Sequence, residues 1–362
     1  MRLNANEVKR QLAERSMKVV GDVPKTSLRT ITHELDAVAW IDQVRWISDT
    51  LKKTDTTLFQ VLKRRDGGCN VIGDDCIVRP VIWAIERAPD YIKKYYPYHD
   101  FDPRIEVFFK MLSEDPLIKE CVRTGLRALS QENATLICDH LNRFVASFRT
   151  EVTSQSFRVL SYRCKRRALI VQREMVRYVE RLFSRCSRLL VVRVDTYYPS
   201  VLKDGELNGI TVPPEKLRKD RERFVRKLSS EKFAANKVGH CWKLEYGLTK
   251  GFHYHWLFFF DGAKVREDIT IGRLIGQTWE SLQKGEGLYW NCNAFKDKYI
   301  DLGIGMVSHF DQKRRLGLRK AMAYLTKPDY HLCLKEVDVG RTFGKGLIKA
   351  RPKESRGRPR VR

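Results

Sequence analysis

The sequence predicts an α+β fold, in which a mostly α-helical amino-terminal region precedes a domain with a central antiparallel β-sheet flanked by helices. Three observations predict it. Apolar residues recur every three or four positions through the first half of the chain, the period of an amphipathic helix. After about residue 165, β-branched and aromatic runs bounded by turn residues alternate with helical stretches. Two of those runs, CWKLEYG and FHYHWLFFF, are separated only by a short turn containing Gly247, Lys250 and Gly251, and so form a hairpin with antiparallel pairing.

Over residues 30–64, Ile31, Leu35, Val38, Ile41, Val44, Ile47 and Leu51 mark one face of a helix. A turn-rich stretch, RRDGGCNVIGDD, follows, and then YYPYHDFDP, whose two prolines interrupt any helix. A second helical zone covers residues 105–148 through Phe108, Met111, Leu112, Leu126, Leu129, Leu136 and Leu141, with a break expected at Pro116. ALIVQREMVRYVERLFSRC is helical, and SRLLVVRVDTYYPS is a strand closed by proline and serine. PEKLRKDRERFVRKLSSEKF is a basic helix, the hairpin comes next, and residues 270–283 are helical. YIDLGIGMVSHF, residues 299–310, is a glycine-punctuated strand, and LRKAMAYLTK is a helix stopped by Pro328. No internal repeat is present. The domains expected are residues 1–165, residues 166–348 and a basic, disordered tail, residues 349–362.

Against 69 Lys plus Arg stand 44 Asp plus Glu, leaving +25 at neutral pH. Such a charge repels itself and attracts polyanions, so nucleic acid is the first partner to consider and anionic membrane the second. No apolar stretch approaches the roughly 20 residues of a spanning helix, and the opening MRLNANEVKRQLAERS lacks a signal peptide's apolar segment. A cytoplasmic protein with no membrane partner is expected. The nine cysteines are scattered, with no C-x-x-C pair, which points to reduced thiols packed as small apolar residues.

The chemistry concentrates at KGFHYHWLFFFDG. In a strand the side chains at i and i+2 share a face, so His253 and His255 point one way while Tyr254 and Trp256 point the other. Glu245, on the preceding run of the hairpin, falls opposite them, giving two imidazoles and a carboxylate with room for water or a substrate oxygen: an open metal site. Asp195 in RVD is a candidate fourth ligand. The other six histidines are structural or solvent-facing. In KAMAYLTKPDYH, Tyr324 and Lys327 lie three apart and share a helix face. A phenol with an ordinary pKa near 10 is a poor nucleophile at neutral pH unless a cation offsets its developing charge, and Lys327 supplies one.

FHYHWLFFF resembles the histidine-hydrophobe-histidine motif of the HUH endonucleases, the rolling-circle replication initiators and relaxases, and AYLTKPD resembles their Y-x-x-K tyrosine motif. Taken in order, RVDTYYP, WKLEYGLTKGFHYHWLFFFDG, YWNCN, GIGMVSH, AMAYLTK and GRTFGKG are similar to the replication proteins of filamentous phages and their YagK/YfjJ-type prophage relatives. This resemblance covers residues 188–346. It implies that His253 and His255 are the paired ligands and Glu245 the acidic third one of a Mg²⁺ or Mn²⁺ ion. It makes Tyr324 the nucleophile and Lys327 its companion. Many initiators use two tyrosines here, whereas the next one, Tyr330, falls six residues on and beyond a proline, so a single-tyrosine enzyme is expected. The implied activity is nicking and rejoining of single-stranded or locally melted origin DNA in a bacterial host, with host helicase and polymerase as partners.

Basic segments are expected to follow the DNA backbone. Candidate contacts are Arg193, Lys250, Lys313, Arg314 and Arg315, and in the tail SRGRPR, which resembles an AT-hook core, Arg356 and Arg358. The absence of a G-x-x-x-x-G-K-[ST] loop excludes a P-loop helicase motor in this stretch. Two rival functions use the same residues: a zinc hydrolase activating water, and a catalytically silent DNA-binding protein with a structural metal.

Overall fold

The computed structural model describes residues 25–89, 92–96, 98–198, 202–203, 206–207, 212–247, 251–326, 332–335 and 339–348. It is α+β, with a helical first half and a sheet in the second. The first half holds α1 (Lys25–Leu51), β1 (Gln60–Lys63), β2 (Cys69–Ile72), α2 (Asp75–Glu86), α3 (Ile92–Tyr95), β3 (His99–Phe101), α4 (Pro103–Glu114), α5 (Ile118–Thr124) and α6 (Gln131–Thr153). α1 buries Trp40, Val44, Ile47 and Leu51 on one stripe and stops there. The helix expected to residue 64 ends early because KKTDTT, residues 52–57, carries no apolar stripe, and the chain turns instead into the β1–β2 hairpin through Gly67 at φ +86°. The second zone is broken at Pro116, as expected, and again at Gly125, where φ is +87°. Trp40, Phe108, Phe144 and Phe148 form its aromatic core, mostly edge to face.

α7 (Gln155–Phe183) runs without interruption through residue 165. Phe157 near its start belongs to the amino-terminal core, while Met175, Tyr178, Val179, Leu182 and Phe183 near its end belong to a core under the sheet. One helix thus joins the two halves.

Next come β4 (Arg188–Tyr197), β5 (Leu202–Lys203), β6 (Glu206–Leu207), α8 (Pro214–Ser230), β7 (Lys237–Gly247), β8 (Gly251–Asp261), α9 (Asp268–Leu282), β9 (Leu288–Asn291), β10 (Gly305–Ser308), α10 (Gln312–Thr326), β11 (Leu332–Leu334) and β12 (Phe343–Lys345). The main sheet has the order β10-β4-β8-β7-β12, with β9 also on β4, and its pairings are antiparallel. The β7–β8 hairpin is the expected one. On one face, Leu217 and Phe224 of α8 and Ile271, Ile275 and Trp279 of α9 pack against Trp242, Tyr254 and Trp256. On the other, α7 and Leu318, Met322 and Leu325 of α10 pack against Val191, Leu257 and Phe259. This second face is the one that carries the histidine pair.

Two local devices shape that face. β10 pairs with β4 up to Val191 and β9 takes over at Val194, leaving a gap in the ladder. The fully buried Asn293 fills it: its Oδ1 accepts from the Arg193 N–H at 2.8 Å and its Nδ2 donates to the Val191 carbonyl at 2.9 Å, so a carboxamide replaces a strand rung. Residues 299–304 are not strand, since they form the seat of α10. A Cβ at Gly303 would lie 2.1 Å from the Leu318 backbone nitrogen, and one at Gly317 would lie 2.5 Å from the Leu302 carbonyl oxygen, so only glycines allow the approach.

The two halves are also stitched by a strand pair. β3 pairs with β11, just beyond α10, and the Lys335 N–H donates to the Tyr98 carbonyl at 2.7 Å. His99 in this seam is 5% exposed. Burial, then the charges of Lys243 and Lys335, lower its pKa to about 3. In the unfolded chain it titrates near 6.5. As pH falls below about 6.5 the unfolded state therefore takes up a proton that the folded state refuses, and stability drops. Between pH 7.5 and 5 this costs about 2 kcal/mol, and is fully regained above the higher pKa. Urea titrations at the two pH values should show that difference, and His99→Gln should flatten it.

Candidate metal centre

Antiparallel register sets the site. Glu245 of β7 stands opposite His253 of β8, which stands opposite Tyr197 of β4; one row along, Lys243, His255 and Asp195 are aligned in the same way. Facing residues share a side of the sheet, so the two rows make one polar island where the apolar face ends. The strand begins with two imidazoles because this end of it holds a buried polar cluster in place of apolar core. Glu245, His253 and His255 are all buried, and one ligand atom from each lies within 4.8 Å of the others.

Both rings are fixed from behind. His253 Nδ1 donates to the Gly251 carbonyl at 3.0 Å, with Gly251 held at φ +58°, a left-handed conformation suited to glycine. His255 Nδ1 donates to Asp195 Oδ1 at 2.7 Å. Each Nε2 is thereby aimed at Glu245 Oε2, at 3.7 Å from His253 and 3.1 Å from His255. Donating Nδ1 to a carbonyl or carboxylate while presenting Nε2 is how imidazoles are oriented for a metal.

The electrostatics agree. Burial would lower the His255 pKa, but Asp195 and Glu245 outweigh it and raise it. The two carboxylates thus favour the protonated ring, and a divalent ion between Nε2 and Glu245 would compete with that proton. Asp195 in turn is held well below the usual carboxylate range, since Arg193 and His255 overcome its burial. The donor set, two imidazole nitrogens and one carboxylate oxygen with their rings tethered, fits a divalent cation and leaves further coordination positions for water or substrate.

Three sequence expectations change. Asp195 turns its carboxylate to His255 Nδ1 and Arg193, and so supports a ligand rather than serving as a fourth one. Arg193 is buried, its guanidinium 3.2 Å from Asp195, and is not presented to solvent as a surface contact would be. Arg315 bonds Glu180 and the His309 carbonyl, tying α10 to α7. Arg314 donates to the Met306 carbonyl and pairs with Asp311, while Lys313 is exposed. These three lie at the start of α10, near Ser308, whose register partner Arg188 is at the opposite end of β4 from Asp195. The basic helix α8 exposes Arg218, Lys219 and Arg223, but on the other face of the sheet.

Tyr324 lies in the last turn of α10, and its side chain is outside the described residues; so are Lys327, Tyr330, Lys250, Arg356 and Arg358. The course of the helix is informative. α10 starts at the Arg188 end of β4, meets Gly303 at Gly317, and buries Met322 and Leu325 on the histidine-bearing face. Gly303 lies just before Gly305, the register partner of Val191, so by Gly317 the helix has passed from the Arg188 end of β4 toward the middle of that strand. Sequence reading missed Lys243, buried beside His255 with Nζ 3.5 Å from Thr342 Oγ1, and Tyr197, whose ring stacks on His253 at 5.6 Å. The spacing of the RVDTY strand holds the only signal for Tyr197, Asp195 and Arg193, which alternate onto one face.

Among the described residues no helix is long and apolar enough to cross a membrane. A family model described as the YagK/YfjJ C-terminal domain matches residues 152–346, more than half of the chain. Searches of curated proteins and of solved structures found no match.

Proposed function

The chain belongs to the YagK/YfjJ C-terminal domain family, and from that premise we propose that it is a metal-assisted endonuclease that nicks and rejoins single-stranded origin DNA to start rolling-circle replication of a prophage-type element. The observation that carries the reading is the convergence of His253 Nε2, His255 Nε2 and Glu245 Oε2 on the sheet face over which the Tyr324-bearing helix packs. A Mg²⁺ or Mn²⁺ ion held by these three would supply Lewis-acid stabilisation to the scissile phosphate.

The chain's own groups do the rest. Asp195 and the Gly251 carbonyl hold the two rings in place. Tyr324 is the nucleophile. Its oxygen bonds to phosphorus as the bond to the 3′ oxygen breaks, and the phenolic proton ends on that oxygen. The products are a 5′-phosphotyrosine and a free 3′-OH for a host polymerase to extend, while a host helicase opens the duplex. Lys327 offsets the charge that develops on the phenol. Because one ester replaces another, attack by a 3′-OH reverses the step and rejoins the strand without a nucleotide cofactor.

The test uses single strands tiled across the DNA adjoining the gene, incubated with the full chain and Mn²⁺ and run on a denaturing gel. A covalent protein–DNA adduct is expected, and Tyr324→Phe should abolish it. No adduct with any divalent metal overturns the proposal. Cleavage that survives Tyr324→Phe would assign the centre to a hydrolase that activates water.

A further inference from the structure

The row that holds His255 extends across β4 to β9, where Trp290 stands opposite Asp195 on the same face of the sheet. Two strand spacings, about 10 Å, separate Trp290 from His255. The inner side of Trp290 packs into the core, and Phe295 lies flat on its ring with centroids 4.4 Å apart and planes 10° from parallel. Phe295 sits at a kink in the turn Cys292–Lys298, where its φ of −122° leaves the helical range, and its ring is 36% exposed. Lys298 Nζ hovers 5.1 Å from that ring.

An aromatic plane backed by a core residue, topped by an exposed cation and placed beside the proposed metal centre has the features of a base-stacking platform. A base has a flat apolar face and an attached anionic phosphate, so it can displace the lysine from the ring and engage it through the charge. We propose that Phe295, braced by Trp290, stacks an unpaired base of the single-stranded DNA next to the scissile phosphate, with Lys298 contacting the adjoining phosphate. This rests on the nicking reading and adds to it the position of the substrate strand: the DNA crosses the sheet along the β9–β4–β8 row.

The experiment compares binding of two fluorescein-labelled strands, an oligothymidylate of about twelve nucleotides and an abasic strand of equal length, to the full chain in EDTA by anisotropy. The unaltered protein should bind the thymidylate strand about tenfold more tightly. Phe295→Ala should shrink that ratio about fivefold or more while leaving the abasic Kd unchanged, and Phe295→Trp should restore it. A ratio near one in the unaltered protein, an unchanged ratio in Phe295→Ala, or equal weakening on both strands overturns the platform. If any of these occurs while the unaltered protein still forms the Tyr324-dependent adduct, the platform alone is rejected; if it binds neither strand and forms no adduct, the nicking reading fails with it.

Discussion

Replacing His255 with alanine, or Glu245 with glutamine, should weaken Mn²⁺ binding by more than about 100-fold, beyond the ten- to hundredfold typical of changes in outer-sphere partners. The first change removes one of three donors, and the second removes the negative charge of another, in a cluster whose atoms lie within 4.8 Å of one another. Calorimetric titration reads the loss directly, and adduct formation should fall with it by about 10³-fold. Glu245→Gln is the sharper variant because it keeps the shape and the hydrogen-bonding reach of the side chain while deleting the charge. Binding that persists unchanged in both variants would show that the three groups are a buried polar cluster and nothing more.

A comparably large effect is expected one layer behind the ligands. Asp195→Ala removes the carboxylate that faces the buried guanidinium of Arg193, at 3.2 Å, and stability should fall by about 3–5 kcal/mol. Thermal unfolding should shift down by about 10 °C. The double variant Arg193→Met with Asp195→Leu should recover most of that loss, since two apolar side chains can replace a buried ion pair. It should not recover the ion: His255 Nδ1 still lacks its acceptor, and Mn²⁺ affinity should stay ten- to hundredfold down. Recovery of both properties would mean that Asp195 acts only through folding.

The clustering of Glu245, His253 and His255 was legible because hairpin geometry is local. A short turn between two runs determines which residues face each other, and Glu245 opposite His253 follows from counting back from Gly251. What lies on a third strand is not local. Asp195 was visible as an acid on a strand, but its register against His255 depends on how β4 meets β8 from some sixty residues away. Arg193 was misplaced for a related reason: arginine is ordinarily exposed, and nothing short of the fold reveals the carboxylate that allows its burial. Asn293 carries no pattern at all, because its amide completes a ladder between strands that start far apart. In the amino-terminal half the helices were read from their period, while β1, β2 and β3, three or four residues each, are too short for alternation to show.

The β3–β11 pair reaches across the family boundary at residue 152. A truncated protein beginning there would leave Leu332–Leu334 without the strand that β3 lends it, baring backbone donors and acceptors to solvent a few residues past α10. Such an edge recruits neighbouring chains. The fragment 152–346 is therefore expected to self-associate, and the helical region to act as a splint that keeps the sheet-bearing half monodisperse.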